Sequence, residues 1–143
     1  MLSVMKDKSV KILGLSFYYH DAAAVLLVDG VPVAMSEEER FSRKKHDSGY
    51  PRLAIEYVLS SANITPDELD YVVFYEKPFI KFERILKTLF ATWPWTPLVF
   101  AGSIKNLFLG KLWIRSEITE HLNISRDKIL FSEHHLSHAA SSF

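Results

Sequence analysis

The chain has no cysteine. That excludes disulfides and thiolate metal ligands and is compatible with a reducing compartment. It also lacks net charge, with seventeen Lys and Arg against seventeen Asp and Glu. It therefore has no electrostatic footprint for nucleic acid. Residues 1–10 mix charged and apolar side chains without the apolar core of a secretory leader and are read as an N-terminal extension. A cytoplasmic location is the expectation. No apolar run is suited to crossing a bilayer. The uncharged stretch Thr88–Ile104 is slightly short for ~30 Å of hydrocarbon and is broken by Pro94 and Pro97. It is read as two buried helical pieces joined by a turn, and no membrane contact is expected.

What is present suits one globular domain: 143 residues, 48% of them hydrophobic, enough for a core. Lys11–Phe17 and Ala22–Val28 are short apolar runs with β character. Asp29-Gly30 is a two-residue hairpin turn, and Val31–Met35 is a third strand. Pro32 cannot donate to a ladder, so that strand belongs at an edge. Pro51 opens a helix whose expected buried stripe is Leu53, Ala54, Tyr57, Val58, Ser61 and Ala62. Thr65-Pro66-Asp67-Glu68 combines a cap, a first-turn proline and a capping-box glutamate. Tyr71–Tyr75 is a fourth strand, placed beside the first. Helical patterns cover Phe79–Phe90, Leu98–Leu109 and Ile114–Leu122, and Ile129–Phe131 is a short strand. Phe90, Trp93, Trp95, Leu98, Val99 and Phe100 are expected to leave an apolar patch. The fold class is α/β: a β-meander followed by α/β, with a helical insertion. A β-β-β-α-β order followed by helices is the start of an actin-like, RNase H-like domain, here its first lobe.

Three polar clusters carry the candidate chemistry. The first is Glu133-His134-His135-Leu136-Ser137-His138. His134 and His138 are four apart, so on a helix they share a face and can grip one divalent ion. Ser132 is read as the N-cap. At a helix start the imidazole is favoured in its neutral, metal-binding form. The competing reading is a polar helix start whose histidines bond water. His135 points about 100° away from the pair and is read as a supporting or substrate contact. The second cluster is the turn Tyr18-Tyr19-His20-Asp21. An imidazole beside a carboxylate can act as a general base, although spacing alone favours an exposed turn closed by Asp21. The third is Ser36–Asp47, SEEERFSRKKHD. It reads either as a solvated loop with loose ion pairs or as a cationic rim with Lys45 as a mobile charge for phosphate or carboxylate.

The stretches YYHDAAAVLLVDG, SEEERFSRKKHD, VVFYEKPFIKFERIL and FSEHHLSHAASSF together closely resemble the O-carbamoyltransferases of antibiotic and nodulation-factor biosynthesis. The likeness runs from about Lys11 to Phe143, so residues 11–143 are taken as the N-terminal part of the family's actin-like domain. The resemblance implies transfer of a carbamoyl group from carbamoyl adenylate to a hydroxyl of a small-molecule acceptor, a sugar or natural product. The adenylate is made from carbamoyl phosphate and ATP by a further, C-terminal domain. The resemblance also implies His134 and His138 as ligands of a divalent metal, Fe2+ or Zn2+. It makes His20 and Lys45 active-site residues, and beside that resemblance Asp21 and His135 are read as substrate contacts. Family members are several times longer. The remaining metal ligands and lobes are therefore expected outside these residues, in cis or in trans, and the chain alone is not expected to complete a transfer. Two alternatives stand beside this reading: a relative acting in tRNA threonylcarbamoyl transfer, and a non-catalytic partner module that retains the fold.

Overall fold

The computed structural model describes residues 9–76, 87 and 113–140. The described chain is mixed α/β with a five-stranded sheet in the order β3-β2-β1-β4-β5. Two compact units divide between residues 72 and 73.

In the first unit, β1 (Lys11–Ser16) and β2 (Ala23–Val28) pair antiparallel from Lys11↔Val28 to Ser16↔Ala23. β3 (Val31–Glu37) continues the meander on the other side of β2. Asp29 and Gly30 both have positive φ, 51° and 79°, as the tight hairpin between right-twisted strands requires. Pro32 does sit on the edge strand. The register steps from Leu26↔Ala34 to Leu27↔Pro32, which leaves Val33 as the extra residue of a bulge. A bulge is where a ladder tolerates a residue with no N–H.

One face of this meander buries Leu13, Leu15, Ala24 and Leu26. Helix α2 (Arg52–Ser61) packs on β2 and β3 and buries Ala54, Ile55, Val58 and Leu59. The stripe expected from the sequence was rotated: Leu53 and Tyr57 are 40% and 47% exposed, and Ser61 is exposed as well. Two apolar stripes overlap on this helix. The sheet takes the one with Ile55 and Leu59, while Tyr57 lies outside against Phe41, ring centroids 5.4 Å apart. Gly14 keeps the sheet's other face flat, since a Cβ there would come within 2.8 Å of Val25 Cγ1.

The charged run Ser36–Asp47 is exposed from Arg40 to His46 and carries long surface ion pairs, Arg40 to Glu37 at 3.8 Å and Lys44 to Asp47 at 3.7 Å, but it is more than a loop. Residues Glu39–Ser42 form a short helix, α1, and Glu38 is buried, 6% exposed. Its carboxylate accepts the backbone N–H of Leu53 at 3.2 Å and of Ala54 at 2.8 Å. A helix starts with unpaired N–H groups and a partial positive charge, and Pro51 gives α2 no side-chain cap. Glu38 supplies that cap from another element.

The capping box at Thr65 and Glu68 is present around the 3₁₀ turn Pro66–Glu68. Lys11 reaches the same carboxylate at 2.6 Å. The hydrogen bond from Lys11 first, and the Thr65 bonds second, hold the Glu68 carboxyl down at about 2. Asp70 clamps Lys11 through both backbone and side chain, at 2.9 Å each, and leads into β4 (Tyr71–Phe74) beside β1.

In the second unit, α3 (Ile114–Leu122) buries Ile114, Ile118 and Leu122 at helical spacing and ends on Asn123 in the left-handed region. β5 (Ile129–Phe131) is bonded to β4. Arg115 covers the Phe131 ring at 5.1 Å. α4 spans His134–Ala140. Its first bond runs from Ser137 N–H to the Glu133 carbonyl at 2.9 Å, so the boundary residue is Glu133. The cap expected at Ser132 thus falls one residue later, and Ser132 donates its N–H to Phe74 O at 2.9 Å. The helix expected at 79–90, apart from Lys87, the helix expected at 98–109, the apolar patch from Phe90 to Phe100 and the stretch 88–104 lie outside the described residues. Among the described residues no helix is long and apolar enough to cross a membrane.

Glu38→Ala is expected to lower unfolding stability by about 1–2 kcal/mol, the upper part of the range for a lost cap. Glu38→Gln, which keeps one acceptor oxygen, is expected to lose less. Urea unfolding followed by circular dichroism checks this; an unchanged midpoint for Glu38→Ala would refute the capping role.

Candidate functional site

The turn 18–22 and the loop 43–49 are drawn together by backbone bonds. Tyr18 N–H donates to Ser48 O and Ala22 N–H to Asp47 O, both at 2.7 Å. Ala22 O in turn accepts from Glu38 N–H at 2.8 Å, so the buried cap anchors the same turn. His20 lies inside the first segment and Lys45 inside the second. Residues 25 apart in sequence are thereby carried on adjoining loops.

A side-chain pair reinforces the join. His46 Nδ1 and Asp21 Oδ1 are 2.9 Å apart, and His46 N–H donates to Glu39 Oε2 at 3.1 Å. His46 has φ +54°, a left-handed conformation uncommon outside glycine. The pair shifts both groups. The hydrogen bond from His46 is the main cause holding the Asp21 carboxyl below its ordinary 3.8. The same bond, then the charge of Asp21, raises His46 above its ordinary 6.5. Both side chains meet solvent, at 70% exposure for His46 and 44% for Asp21.

The donor atoms of Asp21, Glu39 and His46 all lie within 4.8 Å of one another, close enough in principle to surround a cation. The nitrogen facing an ionised Asp21 must carry a proton to make its bond, however, so it offers no lone pair. The cluster is hydrogen-bonded as it stands.

The neighbouring cations divide their roles. Arg43, at φ +58°, closes α1 with its N–H on Glu39 O. Lys44 reaches Asp47 at 3.7 Å. Asp47 is held below its usual carboxylate range chiefly by the Gly49 N–H. Lys45 is exposed and makes no hydrogen bond or ion pair among the described residues. His20 is exposed, with its ring edge-on to Tyr19 at 4.1 Å.

In the second unit the backbone of α4 sets positions 134 and 138 one turn apart. The side chains of His135 and His138 are exposed. Ser137 Oγ donates to Tyr75 O at 3.1 Å, which ties the helix to the segment after β4. The sequence had named His20, Asp21, Lys45, His134, His135 and His138. It missed the bond between Asp21 and His46, because no spacing rule links two loop residues so far apart.

A family model described as Carbamoyltransferase N-terminus matches residues 11–143. The chain is 45% identical over 139 residues to an uncharacterized protein of Synechocystis sp., covering 92% of this chain and 23% of that protein. It is 33% identical over 128 residues to the Nodulation protein NolNO of Sinorhizobium fredii, covering 88% and 18%. With an uncharacterized protein of Methanocaldococcus jannaschii it shares 29% identity over 177 residues, covering 94% and 28%. The chain thus spans less than a third of the length of each of these relatives.

The Asp21–His46 pair sets a pH window. His46, raised above 6.5, contributes stability that is fully present below 6.5 and fades as pH rises through its folded value. Asp21, lowered from 3.8, contributes stability that is present above 3.8 and fades as pH falls through its folded value. An NMR titration should therefore place His46 above 6.5, and Asp21→Asn should bring it back toward that value. A His46 value at or below 6.5 in the unsubstituted chain would contradict the pairing.

Proposed function

The chain belongs to the carbamoyltransferases, and we propose that it forms the N-terminal part of an enzyme that transfers a carbamoyl group from carbamoyl adenylate to an acceptor hydroxyl. Carbamoyl phosphate and ATP would supply the adenylate, and the acceptor would be a sugar or natural product. The observation that carries the site is the joining of the turn bearing His20 to the loop bearing Lys45. The meander β3-β2-β1, with α2 leading on to β4 beside β1, supports the first lobe of an actin-like domain. We place the reaction in the cytoplasm.

In this reading the acceptor oxygen attacks the carbamoyl carbon, the bond from that carbon to the phosphate oxygen breaks, and AMP leaves. His20 receives or orients the hydroxyl proton, the work of a positioned imidazole. Lys45, an exposed ammonium, stabilises the negative charge that develops on the carbonyl or phosphate oxygens. His135 stands next to the proposed metal-holding positions in sequence as a candidate substrate contact. His134 and His138 would hold a divalent metal. Two imidazole positions one turn apart are a donor set suited to Fe2+ or Zn2+, and they supply two of the three or four protein ligands such an ion takes. When bound, the ion contributes Lewis-acid charge at a carbonyl or phosphate oxygen. The other ligands and the adenylate-forming step belong, on this proposal, to segments that the longer relatives carry beyond the match, and the chain alone does not complete a transfer.

Two measurements test this. In the enzyme assembled from this chain and those further segments, His20→Ala and Lys45→Ala should each lower turnover by about 100-fold with circular dichroism unchanged. Losses below a few-fold would return both to ordinary surface residues. In calorimetry the chain alone should bind zinc weakly. His138→Ala should abolish that binding and His46→Ala should leave it. Binding unaffected by His138→Ala would place the ligands elsewhere.

A further inference from the structure

The proposed catalytic residues are each flanked by one member of the same hydrogen-bonded pair. Asp21 follows His20, and His46 follows Lys45. Both flanking residues are partly exposed, so neither is needed to fill the core. Their own chemistry is used on each other, at 2.9 Å, instead of being left open to a ligand.

The loop carrying Lys45 is also not at rest in an ordinary conformation. Arg43 and His46, on either side of the Lys44-Lys45 dipeptide, both have left-handed backbones, φ +58° and +54°. Such a conformation is unfavourable for a residue with a Cβ, and it persists where surrounding bonds over-determine it. At His46 two such bonds are present. Its N–H is held by Glu39 Oε2 at 3.1 Å and its ring by Asp21. The turn on the other side is likewise fixed, with Tyr18 at φ +67° and both ends of the turn bonded to residues 47 and 48.

We infer that Asp21 and His46 are a positioning pair that sets His20 and Lys45 in register across the two loops, with Glu39 holding the His46 backbone. Asp21 then acts through His46 and does not touch the acceptor. This inference rests on the reading of His20 and Lys45 as active-site groups.

The test uses steady-state kinetics on the active enzyme that contains this chain. Asp21→Ala and His46→Ala should each lower kcat by about 10- to 100-fold, the scale on which a small misplacement of reacting groups acts. The acceptor KM should stay within about two-fold. The double variant should be no slower than the slower single variant, because the two side chains work as one unit. His46→Gln, which keeps an N–H donor, should recover most of the rate. His46→Phe, which keeps the ring volume without a donor, should not. Fully additive losses would overturn the inference, as would a silent His46→Ala or a rescue by Phe and not by Gln. A rise in acceptor KM with Asp21→Ala alone would overturn it too, making Asp21 a substrate contact. Silence of His20→Ala and Lys45→Ala would overturn the reading beneath it, so the two failures are told apart by which variants are silent.

Discussion

The first unit depends on one carboxylate. Glu38 directly follows the edge strand, accepts two N–H groups at the start of α2, and donates its own N–H to Ala22 O. Strand, helix and turn meet at that residue. A buried carboxylate is unfavourable unless its oxygens are satisfied, and the unpaired amides at a helix start are unsatisfied unless something reaches them. Each condition answers the other. Residues 39–50 can therefore loop outward without loosening the helix that follows, and that outward loop carries Glu39, Lys45 and His46.

The meander works as the other half of the support. Its inner face is filled by alternating Leu13, Leu15, Ala24 and Leu26, and a one-residue slip would turn this set outward. That constraint fixes where β1 ends and β2 begins, and so fixes the span of the turn between them. Loop positions in such a site are inherited from strand register. Hydrogen bonds from Tyr18 and Ala22 to the second loop then convert register into the proximity of the two loops that carry His20 and Lys45.

Much of this was legible in the sequence because it is local. The Asp29-Gly30 turn, the edge placement of Pro32, the capping box at Thr65 and Glu68, and the helix at 114–122 all follow from neighbours a few residues apart. The readings that failed were those decided at a distance. The buried face of α2 could be Leu53 with Tyr57 or Ile55 with Leu59, and only the sheet chooses. Glu38 looks like any acid in a charged run until the helix it caps is in place. Ser132 looks like a cap because Ser favours that position, yet the first helical bond is accepted by Glu133 O. At the site, the individual residues were visible as types in suggestive places. The bond joining Asp21 to His46 was invisible, being long-range and made by two residues each with an ordinary local explanation.

The left-handed backbones at Tyr18, Arg43 and His46 bear on how such a chain can be altered. Glycine would relax all three positions, since it enters that region without steric cost. Yet two of the three side chains are occupied: the Tyr18 ring packs edge-on against Phe17 at 4.8 Å, and the His46 ring bonds Asp21. A search for greater thermal resistance and a search for preserved chemistry would thus be drawn to the same positions and would ask opposite things of them. Robustness in this loop is better sought around the strained residues than at them.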